Sequence, residues 1–185
     1  MSNAHNRLQR MRSLFGDDAA QKQIAIVAVT ASLAEFQHRV FTLGLDANGS
    51  PIGNYSNRPM YASKEAYRGL PNRFTPQGKN ASGDFKNGNK RNSKYYKDGY
   101  AEFRSDVNRQ NEKVDLNLTS TSSRSIKLGF DGDGAVFGFT DKERMDILIG
   151  NEERFGTEIF KATQKERDIA SEAARKEIIK VINLR

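Results

Sequence analysis

The longest regular pattern of apolar residues lies in the N-terminal quarter of the chain. Its members are spaced by three and four residues, and they are Ile26, Val29, Leu33, Phe36, Val40 and Leu43. This spacing places them on one narrow stripe of an α-helix, as in helix-on-helix packing. Asp17 or Asp18 can cap the start of the helix, and Gly44 is well placed to end it. We predict that this helix packs on a sheet, on the last helix or on a neighbouring subunit.

Three short segments between residues 114 and 139 alternate apolar and polar residues, the pattern of strands with one buried face. Their apolar members are Val114, Leu116 and Leu118, then Ile126, Leu128 and Phe130, then Ala135, Phe137 and Phe139. The sequence Asp131-Gly132-Asp133-Gly134 separates the last two segments and tolerates the positive φ that hairpin turns need. We therefore predict a small antiparallel sheet with one apolar face that helices cover.

Apolar spacing and capping residues predict three further helices. A short one is indicated by the spacing of Tyr96, Tyr100, Phe103 and Val107. Asp141 can cap a second helix, which Gly150 would end. Thr163 and Glu166 form a T-x-x-E capping box at the start of the last helix. The predicted fold class is α+β, a small antiparallel sheet covered by a long N-terminal helix and a C-terminal helix, with a long basic loop insertion.

The chain of 185 residues is long enough for one domain with its own core. Residues 1–16 are polar and basic, and we favour a flexible basic arm over a short amphipathic helix. Residues 17–185 then form a single α+β domain. Within it, residues 54–98 are rich in Asn, Gly and Lys and contain several prolines. We predict a loop insertion there, because long segments of this composition are functional or disordered loops.

The ten basic and three acidic side chains of that insertion give it a net charge of +7, which equals the net charge of the whole chain. The rest of the chain is therefore balanced in charge. The candidate contact residues for DNA or another partner are Arg58, Lys64, Arg68, Arg73, Lys90, Arg91 and Lys94. Tyrosines and phenylalanines lie between them, and cations with stacking rings are what nucleic-acid sites use. A solvated loop, or a loop that bridges subunits, explains the same composition without nucleic acid.

Candidate catalytic and metal-binding groups are few. The chain has no cysteine, which excludes disulfides, thiolate metal sites and cysteine nucleophiles. The two histidines, His5 and His38, have no companion at metal-ligand or triad spacing. Residues 131–135 begin like a calcium loop, but alanine at the fifth position favours a hairpin turn. We expect no enzymatic activity, no metal and no cofactor.

The apolar run at residues 24–34 bears on where the protein is located. Arginines upstream and small residues near its end resemble a signal peptide. However, Asp17 and Asp18 precede the run, and its helical spacing continues to Leu43. The run is also far shorter than the roughly 20 residues of a membrane span. We expect neither secretion nor membrane insertion.

Four motifs follow one another in the C-terminal half of the chain. They are YKDGYAEFR at 96–104, VDLNLT at 114–119, ERFGTEIF at 153–160 and the capping box at 163–166. In this order they resemble a family of tailed-bacteriophage neck proteins, the tail-completion or head–tail connector proteins. The predicted order of a long helix, a VDL strand, a hairpin, a charged helix and a capped last helix is similar to that family as well.

The resemblance implies a structural virion protein, made in the cytoplasm of the host bacterium, that forms a homo-oligomeric ring around the DNA channel. Its implied partners are further copies of itself, portal, adaptor or tail proteins of the virion, and duplex DNA in the channel. The stripe from Ile26 to Leu43 would pack across subunits, and the basic insertion would face the channel or an acidic neighbour. The alternative is a nucleic-acid-binding protein that uses residues 54–98.

Overall fold

The fold combines α-helices with two small antiparallel sheets, and a computed structural model describes it for residues 3–70, 74–75, 82–84, 90–117, 121–132 and 134–184. The helices are α1 (Asn3–Phe15), α2 (Asp18–His38), α3 (Gly99–Asp106), α4 (Thr121–Arg124), α5 (Lys142–Phe155) and α6 (Gln164–Leu184). The strands are β1 (Met60–Ser63), β2 (Ser82–Asp84), β3 (Lys90–Tyr96), β4 (Ile126–Asp131) and β5 (Gly134–Phe139). The predicted α+β class is confirmed.

Helix α2 has the predicted bounds and packs against α1, α6 and both strands of the β4–β5 hairpin. The Asp17 side chain caps its start by accepting a hydrogen bond from the Ala20 N–H at 3.0 Å. A π-helical turn, Arg39–Leu43, continues the helix to Gly44, whose φ of 67° ends it. A side chain at Gly44 would have its Cβ 2.4 Å from the Val114 carbonyl oxygen. Glycine is therefore required both for the turn and for this close contact.

The apolar stripe of α2 is buried mainly in its middle. Phe36 and Val40 are 1% and 0% exposed, whereas Ile26 and Leu43 at the two ends are 36% and 37% exposed. The core around the middle of the stripe contains Phe36, Val40, Phe41, Ile52, Val114, Ile126 and Ile159. The sheet and the last helix are thus partners of the stripe within one chain. Packing of the stripe across subunits stays a prediction. The exposed ends of the stripe are the parts that are available for such packing.

The helix Asp18–Leu43, which includes the π-helical turn, is long and apolar enough to cross a membrane by length and composition alone. The core helix of a soluble protein passes the same test. Helix α2 contacts α6 and the hairpin, and its middle lies in the core, but only 28% of its most apolar stretch is buried.

Residues 3–15 form helix α1, which is the alternative to the flexible arm that we favoured from the sequence. Leu14 is buried, and Arg10 Nη1 donates a hydrogen bond to the Ile182 carbonyl oxygen at 3.1 Å. Helix α1 contacts α2 and α6. The N-terminal segment is therefore helical from Asn3 onward and is held against the fold through Arg10 and Leu14.

The basic insertion contains strands that the sequence pattern did not predict. Strands β1, β3 and β2 form an antiparallel sheet in that spatial order, with Met60 opposite Tyr96 and Ser82 opposite Asn92. Helix α3 packs on this sheet and confirms the predicted short helix around Tyr100 and Phe103. Tyr96, which was predicted to belong to that helix, is the last residue of β3, and Val107 follows the helix. A second core lies between them and contains Ala62, Tyr67, Tyr96, Phe103 and Val107.

Residues 114–117 do not form the predicted first strand, and Leu118 lies outside the described residues. Leu116 has a φ of 50°, which interrupts an extended backbone. The polar residue between the apolar ones, Asp115, is buried and accepts a hydrogen bond from Arg104 Nη2 at 2.9 Å. The alternation therefore belongs to a loop that anchors a buried ion pair, and the strand prediction was wrong. The β4–β5 hairpin is confirmed, with Ile126 opposite Phe139.

Helix α5 begins as predicted, with the Asp141 side chain accepting a hydrogen bond from the Glu143 N–H at 2.9 Å. Gly150 does not end it. The helix continues to Phe155 and ends at Gly156, which has a φ of 65°. A glycine inside a helix lowers its stability by only about 1 kcal/mol relative to alanine, so the surrounding packing decides where the helix stops.

A buried ion pair joins the start of α6 to the end of α2. The Glu166 carboxylate accepts hydrogen bonds from Arg39 Nε at 2.7 Å and from the Thr163 N–H at 2.8 Å. Thr163 Oγ1 accepts the Glu166 N–H at 3.1 Å, which confirms the capping box. The side chains of Arg39 and Glu166 are 7% and 0% exposed. The other Arg39 donors reach three backbone carbonyl oxygens, those of Leu45, Ile159 and Lys161.

Asp46 ties the turn after α2 to the connection between α5 and α6. Its carboxylate accepts hydrogen bonds from the Asn48 and Ser50 N–H groups and from the Thr157 hydroxyl at 2.5 Å. Burial by itself would raise the pKa of Asp46, but these hydrogen bonds and the nearby Arg39 outweigh it and hold the pKa below its ordinary value. The carboxylate therefore stays ionised and keeps the turn in place.

We expect Arg39→Met to lower the free energy of unfolding by about 3–5 kcal/mol, because it leaves the Glu166 carboxylate buried without its partner. Urea unfolding followed by circular dichroism measures this loss. The control is Lys161→Met, which breaks an exposed pair with Glu158 and should change the free energy by less than about 1 kcal/mol. Equal losses in the two variants would contradict the central role of the buried pair.

Candidate functional site

A cleft of about 790 Å³ opens between helices α3, α4 and α5 and the 3-10 helix Lys64–Tyr67. Helix α5 forms one of its walls. The side chains of this wall are Arg144, Ile147, Leu148, Asn151, Arg154 and Phe155. Their spacing of three and four residues places them on one face of the helix. Leu148 is buried and fixes the rotation of α5, so the two arginines of this face line the cleft.

Five arginines and one carboxylate line the cleft. They are Arg68, Arg104, Arg124, Arg144, Arg154 and Glu65. Arg104 is paired with Asp115. The other four have no ion pair with any carboxylate in the described ranges. The cleft therefore holds an excess of positive charge that the described side chains do not neutralise.

Arg144 stands out among these arginines. Its Nε atom is buried and has no hydrogen-bond acceptor within the part of the chain that the structure describes. A buried donor without an acceptor lowers stability by about 1–3 kcal/mol, and natural proteins rarely keep one without a reason such as a ligand. Arg109 Nε and Asn117 Oδ1, which do not line the cleft, are also buried without a partner in the described residues, so this donor alone does not indicate a ligand.

A second wall of the cleft is held together by hydrogen bonds and a cation–π contact. Arg104 Nη2 donates to both carboxylate oxygens of Asp115, at 2.9 and 3.2 Å, and the guanidinium lies over the Tyr55 ring at 4.4 Å from its centroid. The Tyr55 hydroxyl donates to Asp115 Oδ1 at 2.9 Å. Burial is the main reason that the pKa of Tyr55 lies above its ordinary value, so the ring stays a neutral phenol. This wall is charge-balanced, and the free positive charge lies on the other walls.

The structure places one of the predicted contact residues, Arg68, in the cleft wall. Arg58 and Lys64 are exposed and do not line the cleft. Arg73 lies outside the described residues. For Lys90 and Arg91 the structure describes the backbone, within β3, but not the side chains. Their predicted contact with DNA or another partner stays a prediction.

Lys94 belongs to a polar cluster beneath β3. Its Nζ donates to both carboxylate oxygens of Asp106 at 2.9 Å, and the Tyr96 hydroxyl donates to Asp106 Oδ2 at 2.6 Å. The Tyr67 hydroxyl is hydrogen-bonded to that of Tyr96. Burial, and after it the charge of Asp106, raises the pKa of Tyr67 above its ordinary value. The charge of Lys94 is therefore already neutralised inside the protein, and the residue is a poor candidate for contact with a partner.

The sequence reading missed Arg124, Arg144 and Arg154, which lie well beyond the basic insertion. In the α5 segment acidic residues neighbour these arginines, so the local net charge gave no signal. The spacing of Arg144, Ile147, Asn151 and Arg154 along one helix face was the signal available. Arg124 lies two residues before the start of β4, and nothing in the sequence marks it.

Within the described residues no group of three His, Asp or Glu side chains could hold a metal ion. His38 is exposed on α2 and is not among the residues of the cleft wall. No protein-family model, no curated protein and no solved structure matches this chain. The binding chemistry of the cleft is therefore inferred from the residues that line it. Planar guanidinium groups suit carboxylate or phosphate oxygens, which they bind in a bidentate manner.

We expect inorganic phosphate, as a probe of the cleft, to raise the Tm. At ten times its Kd a ligand stabilises the folded state by about 1.4 kcal/mol, which is about 3–6 °C for a chain of this length. Differential scanning fluorimetry with and without phosphate measures the shift. Arg144→Gln with Arg154→Gln should remove it. The control, Arg175→Gln on the exposed side of α6, should retain it, and an equal shift in both variants would contradict an anion site in the cleft.

Proposed function

We propose that the protein is a structural, non-enzymatic virion component of the phage neck, which acts in head–tail joining or tail completion as a homo-oligomeric ring around the DNA channel. The sequence resemblance to neck proteins supports this proposal. The structural observation that carries it is the β4–β5 hairpin, because its apolar face is covered at the base and uncovered toward the turn.

The register of the hairpin defines that face. Ile126 pairs with Phe139, Leu128 with Phe137 and Phe130 with Ala135. Alternate residues of a strand share a face, so Ile126, Leu128 and Phe130 lie on the same side of the hairpin. Ile126 is 6% exposed in the core, whereas Leu128 and Phe130 are 42% and 47% exposed. The face that packs on α2 therefore extends beyond the core into solvent.

Self-association explains this exposure in physical terms. Full burial of a Leu or Phe side chain contributes about 1.5–3 kcal/mol, and contiguous apolar patches on soluble proteins mark sites of interaction. Exposed single residues are common on any protein surface. Two large residues side by side on one strand face, continuous with the core, form a patch instead. A ring is the closed form of repeated contacts between identical subunits.

Under this proposal the partners of the ring are portal, adaptor or tail proteins of the virion, and duplex DNA passes through its channel. The protein is made in the cytoplasm of the host bacterium and is then located in the virion.

We expect the purified protein to form a discrete ring species by mass photometry and negative-stain electron microscopy, alone or with the portal complex. Leu128→Ser with Phe130→Ser should raise the apparent Kd of self-association at least tenfold, because the burial of these side chains is lost. The population then shifts to monomers. Val136→Ser changes an exposed apolar residue on the opposite face and serves as the control. A wild-type protein that stays monomeric at every concentration and never joins the neck would refute the proposal.

The second candidate function is nucleic-acid binding through the basic insertion, and the position of Arg68 in the arginine-lined cleft favours it. Binding to a phosphate backbone releases counterions, so the affinity should fall steeply as salt rises. We expect Arg68→Gln, Arg73→Gln, Lys90→Gln and Arg91→Gln together to abolish binding and its salt dependence in fluorescence anisotropy. The control is Lys165→Gln with Lys176→Gln on α6, and unchanged affinity in the insertion variant would reject this candidate.

A further inference from the structure

We propose that the arginine-lined cleft receives the turn end of the β4–β5 hairpin from a second copy of this chain. This inference rests on the proposed self-assembly and names the surfaces that meet in it. Successive copies would join hairpin to cleft, around the ring.

The turn of the hairpin and the cleft carry opposite charges. The turn sequence Asp131-Gly132-Asp133-Gly134 contains two carboxylates and no cation. Asp131 is exposed and has no ion pair with any cation in the described part of the chain. Across the interface, Arg68, Arg124, Arg144 and Arg154 form the matching cationic side. Arginine forks and carboxylates form the strongest hydrogen-bonded ion pairs available to proteins.

The hairpin and the cleft also both carry apolar side chains. Phe130 directly precedes Asp131, and it is exposed in a single copy. The cleft offers apolar surface between its arginines, from Leu116, Ile147 and Phe155, and Ile147 is itself exposed. One inserted hairpin would therefore cover Phe130 and Ile147 at once.

The hairpin of one chain does not occupy the cleft of the same chain. No residue of β4 or β5 lines the cleft. Arg124, in the cleft wall, lies just before the base of the hairpin, and the six residues of β4 carry the turn about 20 Å away from that base, at about 3.3 Å per residue. The contact is therefore between two different surfaces of two copies, and such heterologous contacts generate rings or filaments.

A nucleic-acid backbone fits the cleft less well than the hairpin does. Phosphates would satisfy the arginines, but a duplex backbone brings no apolar group to Leu116 and Ile147. The turn end of the hairpin carries a carboxylate, Asp131, and a large apolar side chain, Phe130, on opposite faces of one strand. The combined chemistry of the cleft therefore favours a second copy of this chain.

A charge-reversal exchange tests the pairing. Asp131→Lys reverses the hairpin, and Arg144→Glu with Arg154→Glu reverses the cleft. In each variant alone the apparent Kd of self-association, measured by sedimentation velocity, should rise at least tenfold. An equimolar mixture of the two should regain it, because every hairpin in an alternating ring then meets a cleft of opposite charge. Lys142→Glu, a reversal on α5 outside the cleft, should associate like wild type.

A cross-linking readout checks the same contact without charge changes. Because the chain has no cysteine, Asp131→Cys with Asn151→Cys should give disulfide-linked dimers and higher species on a non-reducing gel after mild oxidation. Asp131→Cys with Arg175→Cys, on α6, should give no such ladder. Circular dichroism of each variant verifies that it is folded.

The outcomes separate this inference from the proposed function. If wild type forms rings while both reversed variants form them equally well, the hairpin-in-cleft contact is wrong and the proposed function stands. If the reversed variants lose association and mixing does not restore it, the pairing is also wrong. If wild type never associates, alone or with the portal complex, the proposed function fails first.

Discussion

The pair of Arg39 and Glu166 holds the two long helices in one arrangement. Glu166 is both the closing residue of the α6 capping box and the counterion of an arginine at the end of α2. Arg39 also bonds to carbonyl oxygens of the segments that follow α2 and precede α6. A buried pair is tolerated when each remaining donor and acceptor has a partner. Here one pair fixes the helix ends and both adjoining turns, so the first core and the hairpin on it depend on this geometry.

Features set by neighbouring residues could be read from the sequence, and features set by distant ones could not. The Asp17 and Asp141 caps, the Thr163–Glu166 box and the hairpin each depend on a few consecutive residues, and the structure shows all of them. The segment at 114–118 follows the same alternation as a strand. A partner eleven residues earlier, Arg104, holds Asp115 in the interior instead, and no local pattern records that contact.

The candidate site shows the same limit for charge. Composition identifies a basic segment when its cations are consecutive, and it found residues 54–98. The cleft collects Arg124 from α4, Arg144 and Arg154 from α5, and Arg68 from the turn after the 3-10 helix. Their convergence therefore exists only after folding. Lys94 shows the converse, because a residue counted as free charge in the sequence is already paired with Asp106.

The pairing of β1 with β3 has a consequence for how the chain can vary. Ser63 lies opposite Ser93 in that register, so the residues between them leave and re-enter the fold at adjacent points. The entropy of closing such a loop grows slowly, by about 0.6 kcal/mol for each doubling of its length. Insertions and deletions between these two serines that spare the core residue Tyr67 and its packing partners would therefore leave both cores in place. This stretch is where related chains have freedom to diverge in length while the helices and the hairpin keep their arrangement.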